Sequence, residues 1–221
     1  MPPSQTVENY LKTIYLAQAA VAPDDGLVPM GQIATALDVA PGTATTMIKA
    51  LAESGLVHYE PYMGVRLTKA GERLASRVSR RHRLIELFLV KQLGMSWAEV
   101  HDEAEHLEHA VSDRLIERID ELLGHPSVDP HGDPIPSPEG TLPQPAYVDL
   151  LSAPVGVPLV VRRVIDQDAA FLRFAESHGL VPGGQVTIDS RDAASDGVVV
   201  RSSAGSVTLG TRAATKILVA R

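Results

Sequence analysis

A proline-rich segment in the second half of the chain places the strongest limit on the fold. Seven of the sixteen prolines lie within residues 125–146. Because proline lacks a backbone N–H and has a fixed φ, neither a long helix nor a central strand can continue through such a segment. We therefore expect a stiffened linker over residues 126–146, with separately folded regions before and after it.

The two sides of this linker carry different hydrophobic patterns. Before it, apolar residues recur at helical spacing, which predicts helices over 7–18, 30–37, 41–54, 68–93 and 96–123. The last of these is expected to begin with a capping box, Ser96 to Glu99. After the linker, short apolar runs predict the strands of a small β-barrel around one helix at 168–178. The expected fold class is mainly α with α+β character, with domains over 1–73, 74–125 and 147–221.

Residues 30–67 have the pattern of a winged helix-turn-helix. Two short helices, a tight turn and a hairpin over 57–67 follow one another. The second helix offers short polar groups and one cation that suit the major groove, and the hairpin tip could lie along a phosphate backbone. The candidate DNA-binding residues are Thr43, Thr45, Thr46, Lys49, Tyr62 and Arg66. The alternative is a small α/β domain with no role in DNA binding.

The negative charge is concentrated in the middle of the chain. The formal net charge is −7, and residues 81–125 alone carry five basic and ten acidic residues, together with five of the eight histidines. Residues 1–80 balance seven basic against seven acidic residues. An acidic protein is a poor partner for nucleic acid, but the neutral amino-terminal third is compatible with DNA binding.

Histidines and carboxylates crowd this acidic segment. His101, Glu105, Glu108 and His109 fall within an arc of about 100° if the segment is helical, and a second pair, His82 and Glu86, shares a face of the preceding helix. Such carboxylates repel one another unless a cation joins them, and oxygen and nitrogen ligands from two helices suit a divalent ion. The alternative is a solvated acidic helix with surface histidines.

Several enzyme classes lack their motifs in this chain. There is no His-Glu-x-x-His, no Gly-x-Ser-x-Gly and no phosphate-binding or dinucleotide fingerprint, and a Glu-x-x-His pair of the di-iron type occurs once, at Glu103 and His106. With no cysteine, disulfides and thiolate ligands are excluded. We found no apolar run of membrane-spanning length and no signal peptide. We therefore expect a cytoplasmic protein that is not an enzyme and has no membrane partner.

At this point the sequence resembles the diphtheria-toxin-repressor family of metal-dependent transcriptional regulators, including its manganese transport regulators. The resemblance spans nearly the whole chain. It is carried by the segments Val7–Tyr15, Arg81–Glu86, Val100–Glu105, Glu108–Asp113 and Asp129–Pro136.

The resemblance implies three domains and two metal sites in each subunit. The domains would be the winged helix, a helical dimerisation and metal-binding domain, and a small SH3-like barrel. The primary site would use Asn9, Glu105, Glu108 and His109. The ancillary site would use His82, Glu86 and His101, with further positions at Asp129, His131 and Asp166. The barrel would stabilise the ancillary site, dock on a proline-rich stretch or merely pack against the dimer.

The resemblance also bears on the metal. The iron-sensing branch typically has cysteine where this chain has Glu105 and methionine where it has Asn9, whereas the manganese branch has glutamate and aspartate. Oxygen and imidazole ligands without sulfur suit Mn²⁺, with Fe²⁺ as the alternative. We expect a homodimeric repressor that binds a palindromic operator when Mn²⁺ is present, with weaker activation in acid because the ligands must be deprotonated. The alternatives are a metal-independent winged-helix regulator and a metalloenzyme that uses the same cluster.

Overall fold

The structure is a computed structural model that describes residues 4–20, 26–143, 146–192 and 196–221, with the backbone alone at Ala20. It divides the chain into two compact units, residues 1–81 with 136–142 and residues 82–135 with 143–221. Among the described residues, no helix combines the length and the apolarity needed to cross a lipid bilayer.

The first unit contains the expected winged helix-turn-helix. Its helices are α1 (Gln5–Ala20), α2 (Met30–Ala36), α3 (Pro41–Glu53) and the start of α4 (Lys69–Leu93). Pro41 begins α3, where its missing N–H leaves no helical hydrogen bond unmade. Apolar residues from all of these helices and from the hairpin form one core, which includes Leu11, Ile14, Ile33, Ile48, Leu51, Val65 and Ala75.

The wing is an antiparallel hairpin of β1 (Val57–Glu60) and β2 (Gly64–Leu67), paired from Val57 opposite Leu67 to Glu60 opposite Gly64. Val28 adds an isolated bridge to Val65. Gly64 is required here, because a Cβ at this position would lie 2.6 Å from the Val28 carbonyl oxygen. The hairpin therefore packs close to the chain that enters α2, and its turn extends away from the core.

The second unit contains the rest of α4, two short helices and the barrel. The helices α5 (Val100–Leu107) and α6 (Asp113–Leu122) pack on α4 through an apolar cluster that includes Leu84, Ile85, Val100, Ala104, Ile116 and Ile119. Ser112 caps α6, since its side chain accepts a hydrogen bond from the Leu115 N–H. The two helices thus form separate short elements that pack on α4.

The barrel is a six-stranded antiparallel sheet in the order β3-β8-β4-β5-β6-β7. The strands are β3 (Val148–Asp149), β4 (Pro158–Val164), β5 (Gln185–Asp192), β6 (Gly197–Ser202), β7 (Gly205–Gly210) and β8 (Ile217–Ala220). Two helices accompany them, α7 (Ala169–Ser177), capped by the Asp168 carboxylate, and α8 (Thr211–Ala214). Their apolar faces bury a second core around Leu159, Val161, Leu172, Ile188 and Val200, into which Trp97 also packs.

Three local expectations need correction. The predicted helix over 96–123 is broken, because α5 ends at Leu107 and α6 begins only at Asp113. The expected capping box does not form, since Ser96 Oγ accepts from the Ala98 N–H and α5 begins four residues later without a side-chain cap. The strand β3 and the helix α8 were not predicted.

The proline-rich segment is also more ordered than a linker. Residues 129 and 131–135 are buried, Val128 forms a bridge with Pro134, and the Ile135 N–H donates to the Ser127 carbonyl. Residues 144 and 145 of the expected linker lie outside the described residues. Prolines limited regular structure here as predicted, but residues 126–135 pack as an irregular loop of the second unit, and residues 136–142 belong to the first unit.

Candidate metal centre

Two helices bring His82, Glu86 and His101 together in the second unit. His82 and Glu86 are one turn apart on α4, and their Nε2 and Oε1 atoms are 3.0 Å apart. His101 on α5 faces both, with its Nδ1 3.2 Å from each of these atoms. Ligand atoms of the three residues all lie within 4.8 Å of one another, a spacing that suits one divalent ion.

The other nitrogen of His82 faces a second group of carboxylates. Its Nδ1 lies 2.7 Å from Glu108 Oε2 and 3.8 Å from Glu105 Oε1. Glu108 also contacts His109, whose Nε2 is 3.2 Å from Glu108 Oε1. Glu108 is the C-cap residue of α5 and is fully buried, whereas Glu105 remains partly exposed. The structure therefore brings Glu105 and Glu108 together beside His82, and His109 joins this group through its contact with Glu108.

The proline-rich loop supplies a third group. Asp129 and His131 lie beside Glu86, with His131 Nδ1 3.7 Å from Glu86 Oε2 and 4.0 Å from Asp129 Oδ1. Three buried atoms of this group, Glu86 Oε2, Asp129 Oδ2 and His131 Nδ1, form no hydrogen bond within the described part of the chain. Buried polar atoms are normally satisfied, so this arrangement fits a bound cation.

The pKa values of Glu86, Asp129 and His131 are shifted because these groups lie close together in a buried site. Burial opposes ionisation of Glu86, but the imidazoles of His101, His131 and His82 hold its pKa well below the ordinary value. Burial, with the charges of Asp133 and Glu86, raises the pKa of Asp129 well above its usual range. Burial acts to lower the pKa of His131, and the facing carboxylates outweigh it and raise the value.

Two of the predicted metal ligands lie elsewhere. Asp166 follows β4 and forms an ion pair with Lys216, outside the three groups described above. Asn9 lies on α1 in the first unit, and its Oδ1 is buried without a hydrogen-bond partner among the described residues. The roles of both residues as ligands stay predictions.

The candidate DNA-binding residues lie on α3 and at the wing. Thr43, Thr46 and Lys49 are exposed on α3, and Thr45 is half-buried. The hydroxyls of Thr45 and Thr46 donate to the carbonyls of Pro41 and Gly42, each 2.9 Å away. Their outward groups are therefore mainly the methyls, which suit apolar contact with a thymine.

At the wing, Tyr62 is fully exposed at 104 % and has a φ of +65°, and Arg66 is also exposed. A solvated aromatic ring held in a disfavoured backbone conformation has no role in the core of this unit. Such outliers are concentrated at functional surfaces.

Trp97, the single tryptophan, contributes to the centre although the sequence did not predict it. His131 Nε2 lies 2.7 Å from the Trp97 carbonyl oxygen, and the two rings stack at 5.5 Å. Every residue has a backbone carbonyl, so the residue types in the sequence could not indicate this contact. It fixes the ring nitrogen that faces away from Glu86.

A winged helix-turn-helix and a buried cluster of carboxylates and imidazoles together define a metal-dependent DNA-binding protein. The comparisons with known proteins agree with this class. Residues 4–65 match the iron dependent repressor N-terminal DNA binding domain, residues 68–137 match the iron dependent repressor metal binding and dimerisation domain, and residues 148–221 match the FeoA domain.

Individual relatives extend this match over most of the chain. The iron-dependent repressor IdeR of Mycobacterium tuberculosis is 32% identical over 198 residues, which cover 84% of each chain. A solved manganese-dependent transcriptional repressor in complex with manganese has a TM-score of 0.87 and 41% identity, covering 96% of this chain and 98% of its own. A solved structure of ScaR with bound Zn²⁺ has a TM-score of 0.81 and 32% identity over 99% of this chain and all of its own.

The chain therefore belongs to the iron-dependent repressor family, the metal-dependent transcriptional regulators of the diphtheria-toxin-repressor type. It is a metal-responsive DNA-binding repressor with a dimerisation domain. This confirms the family, the fold class and the assignment as a regulator rather than an enzyme.

Proposed function

We propose that this protein is a manganese-activated repressor that binds a palindromic operator as a homodimer, with two Mn²⁺ ions in each subunit. The observation that carries the proposal is the cluster around His82 and Glu86, in which every side-chain donor is a carboxylate oxygen or an imidazole nitrogen. Such donors suit Mn²⁺, and the absence of cysteine from the chain removes the thiolates that favour softer ions.

The first ion would be held by Glu105, Glu108 and His109, with Asn9 as a further ligand on the strength of the family resemblance. Support comes from the buried Glu108 carboxylate, which is 3.2 Å from His109. Asn9 contributes a neutral amide, so this set carries one negative charge fewer than a set with aspartate at that position.

The second ion would be held by His82, Glu86 and His101, with Asp129 and His131 on the far side of Glu86. The unsatisfied buried atoms of Glu86, Asp129 and His131 support this assignment. Asp166 is a further proposed ligand by resemblance. Mn²⁺ at Asp166 would require its carboxylate to leave Lys216.

Fe²⁺ is the second candidate metal, because relatives include iron-dependent repressors and divalent ions heavier than Mn²⁺ bind most nitrogen and oxygen sites more tightly. Selectivity would then depend on the free concentration of each ion. DNA binding should be compared under anaerobic conditions at matched free Mn²⁺ and Fe²⁺. A response to Fe²⁺ alone would overturn the assignment to manganese.

The operator can be identified by selection from random DNA. Double-stranded DNA would be selected by the full chain from a random library in the presence of Mn²⁺ and then used in a retention assay. We expect a palindrome with half-sites about one helical turn apart, bound with Mn²⁺ and released by EDTA.

Two variants of α5 make this test specific. Glu105→Ala should lose Mn²⁺-dependent retention, because it removes a proposed ligand. Glu103→Ala, on the same helix and exposed, is the matched control and should behave as the wild type. Retention that is unaffected by EDTA, with Glu105→Ala equal to the wild type, would favour a metal-independent regulator.

A further inference from the structure

The loop that carries Asp129 and His131 is held by contacts on both of its sides within the second unit. On one side, Arg83 of α4 donates to the Pro134 carbonyl and lies 3.9 Å from Asp129 Oδ2. On the other side, the Val164 N–H at the end of β4 donates to the His131 carbonyl over 2.8 Å. The loop thus lies between a helix and a barrel strand.

Asp133 joins these two sides. Its carboxylate forms an ion pair with Arg163 of β4, accepts a hydrogen bond from Gln167 Nε2 at 3.0 Å and lies 4.0 Å from Arg83 Nη2. The residue is 5% exposed. A buried carboxylate needs such partners, since an unpaired charge in the interior is costly.

Asp133 also shapes the loop itself. Its N–H donates to Asp129 Oδ1 at 2.9 Å, and its carbonyl accepts from the Asp129 N–H at 3.0 Å. The same Asp129 oxygen accepts from the His131 N–H at 2.8 Å. A change in the position of Asp133 therefore displaces the residues that carry two proposed ligands.

Glycine at position 132 allows the loop to approach the barrel this closely. Gly132 has a φ of +84°, and a Cβ there would overlap the Arg162 carbonyl oxygen. Backbone approaches of this kind exclude any side chain. The contact between loop and strand is therefore made by main chain as well as by the Asp133–Arg163 pair.

We infer that Asp133 is a positioning residue for metal binding: through Arg163 and Gln167 it fixes the loop that presents Asp129 and His131 to Glu86. Asp133 binds no metal in this scheme. The inference rests on the proposed function insofar as it concerns Mn²⁺, but the coupling of the loop to β4 does not depend on an ion.

The single tryptophan gives a readout near this loop. Trp97 stacks on His131, so its fluorescence during a Mn²⁺ titration reports the second ion. We expect Asp133→Asn to raise about tenfold the Mn²⁺ concentration at which half of the fluorescence change has occurred. Other residues that orient metal ligands have effects of this size. Arg163→Gln, which removes the partner on the barrel and leaves Asp133 intact, should shift the titration in the same direction.

Asp189→Asn is the matched control, because it removes a barrel carboxylate paired with an arginine, Arg201, on the exposed surface. It should titrate as the wild type. Unchanged Mn²⁺ titrations in both Asp133→Asn and Arg163→Gln, in protein that circular dichroism shows to be folded, would overturn the inference.

Hydrogen exchange in the metal-free protein separates this inference from the proposed function. Asp133→Asn should speed exchange in peptides that cover residues 160–167, because the Val164 amide loses its hydrogen bond to the loop more often. If the wild type binds no Mn²⁺, the proposed function fails. Unchanged hydrogen exchange in metal-free Asp133→Asn would instead refute the role of Asp133, whether or not the wild type binds Mn²⁺.

Discussion

At the scale of single residues, the second unit buries several carboxylates. Glu86 and Glu108 are fully buried, and Asp129 and Asp133 are nearly so. Their partners include imidazoles, two arginines, the Gln167 amide and backbone N–H groups, but Glu86 Oε2 and Asp129 Oδ2 form no hydrogen bond within the described part of the chain. Buried, unsatisfied carboxylate oxygens at the proposed ligands Glu86 and Asp129 are what a metal site has before its cation binds.

Asp166 does not belong to this buried group, and its carboxylate forms an ion pair with Lys216. Burial opposes its ionisation, but Lys216 and a hydrogen bond from the Asp168 N–H together outweigh burial and lower the pKa of Asp166. A lowered pKa means that the ion pair stabilises the fold at neutral pH and that this contribution is lost as the pH falls through the folded-state value.

We therefore expect Asp166→Asn to reduce the stability of the metal-free protein by less than about 1 kcal/mol at pH 7. The difference from the wild type should vanish in acid, where the wild-type carboxylate is protonated. Urea unfolding across pH measures it. In a Lys216→Gln background, Asp166→Asn should leave the free energy of unfolding unchanged. An equal loss of stability in both backgrounds would contradict the ion pair between Asp166 and Lys216.

At the scale of elements, the wing keeps an aromatic side chain where the backbone disfavours it. Tyr62 has a φ of +65° and a fully exposed ring. A left-handed conformation costs a non-glycine residue about 1 kcal/mol or more, and the exposed ring recovers none of this by burial.

Substitutions at Tyr62 should therefore separate stability from DNA binding. Tyr62→Gly should be about 1 kcal/mol more stable than Tyr62→Ala, since only glycine relieves the strain. Both should weaken operator binding by about tenfold, the loss of one good contact. Urea unfolding and DNA retention check the two effects, and an operator affinity equal to the wild type would remove Tyr62 from the interface.

The elements differ in how far the sequence predicts them. Helical periodicity and the hairpin pattern over 57–67 were enough to predict the winged helix, because its core is built from local amphipathic patterns. The start of α5 was not predictable from Ser96 and Glu99, because the first turn of this helix lies beyond the expected cap.

The metal centre was predicted in the same uneven way. His82 and Glu86 share a face of α4, and spacing with the family resemblance placed His101 beside them, as the structure does. Their role as ligands stays a prediction. The burial of Asp129 and His131 depends on contacts with α4, Trp97 and β4, which lie far apart in sequence. Proline content indicated a linker there, and only the fold shows that this stretch is packed.

At the scale of the whole molecule, a protein of net charge −7 must bind a polyanion. The acidic residues are concentrated in the segment that contains the metal cluster, whereas the winged helix is nearly neutral. Bound divalent ions reduce the negative charge of that segment and so its long-range repulsion of phosphate.

Metal binding should also stabilise the folded chain. An ion that binds only the folded state adds about 2.7 kcal/mol when its free concentration is one hundred times its Kd. We expect thermal unfolding of the wild type and of Glu103→Ala to shift upward with Mn²⁺ in this manner. Glu108→Gln, which replaces a buried ligand by a neutral group of similar shape, should lose the part of the shift that the first proposed ion contributes. A shift equal to that of the wild type would argue against that ion.

The make-up of the cluster has a consequence for oxidative stress. Peroxide inactivates metal sites most readily by oxidising cysteine thiol ligands. The thiol is first oxidised to a sulfenic acid and then to sulfinic and sulfonic acids, which are essentially irreversible. This chain has no cysteine, and its cluster is made of carboxylates and imidazoles. Peroxide can therefore change the bound ion, but it has no sulfur ligand at this centre to destroy, and adding fresh metal should restore a treated sample.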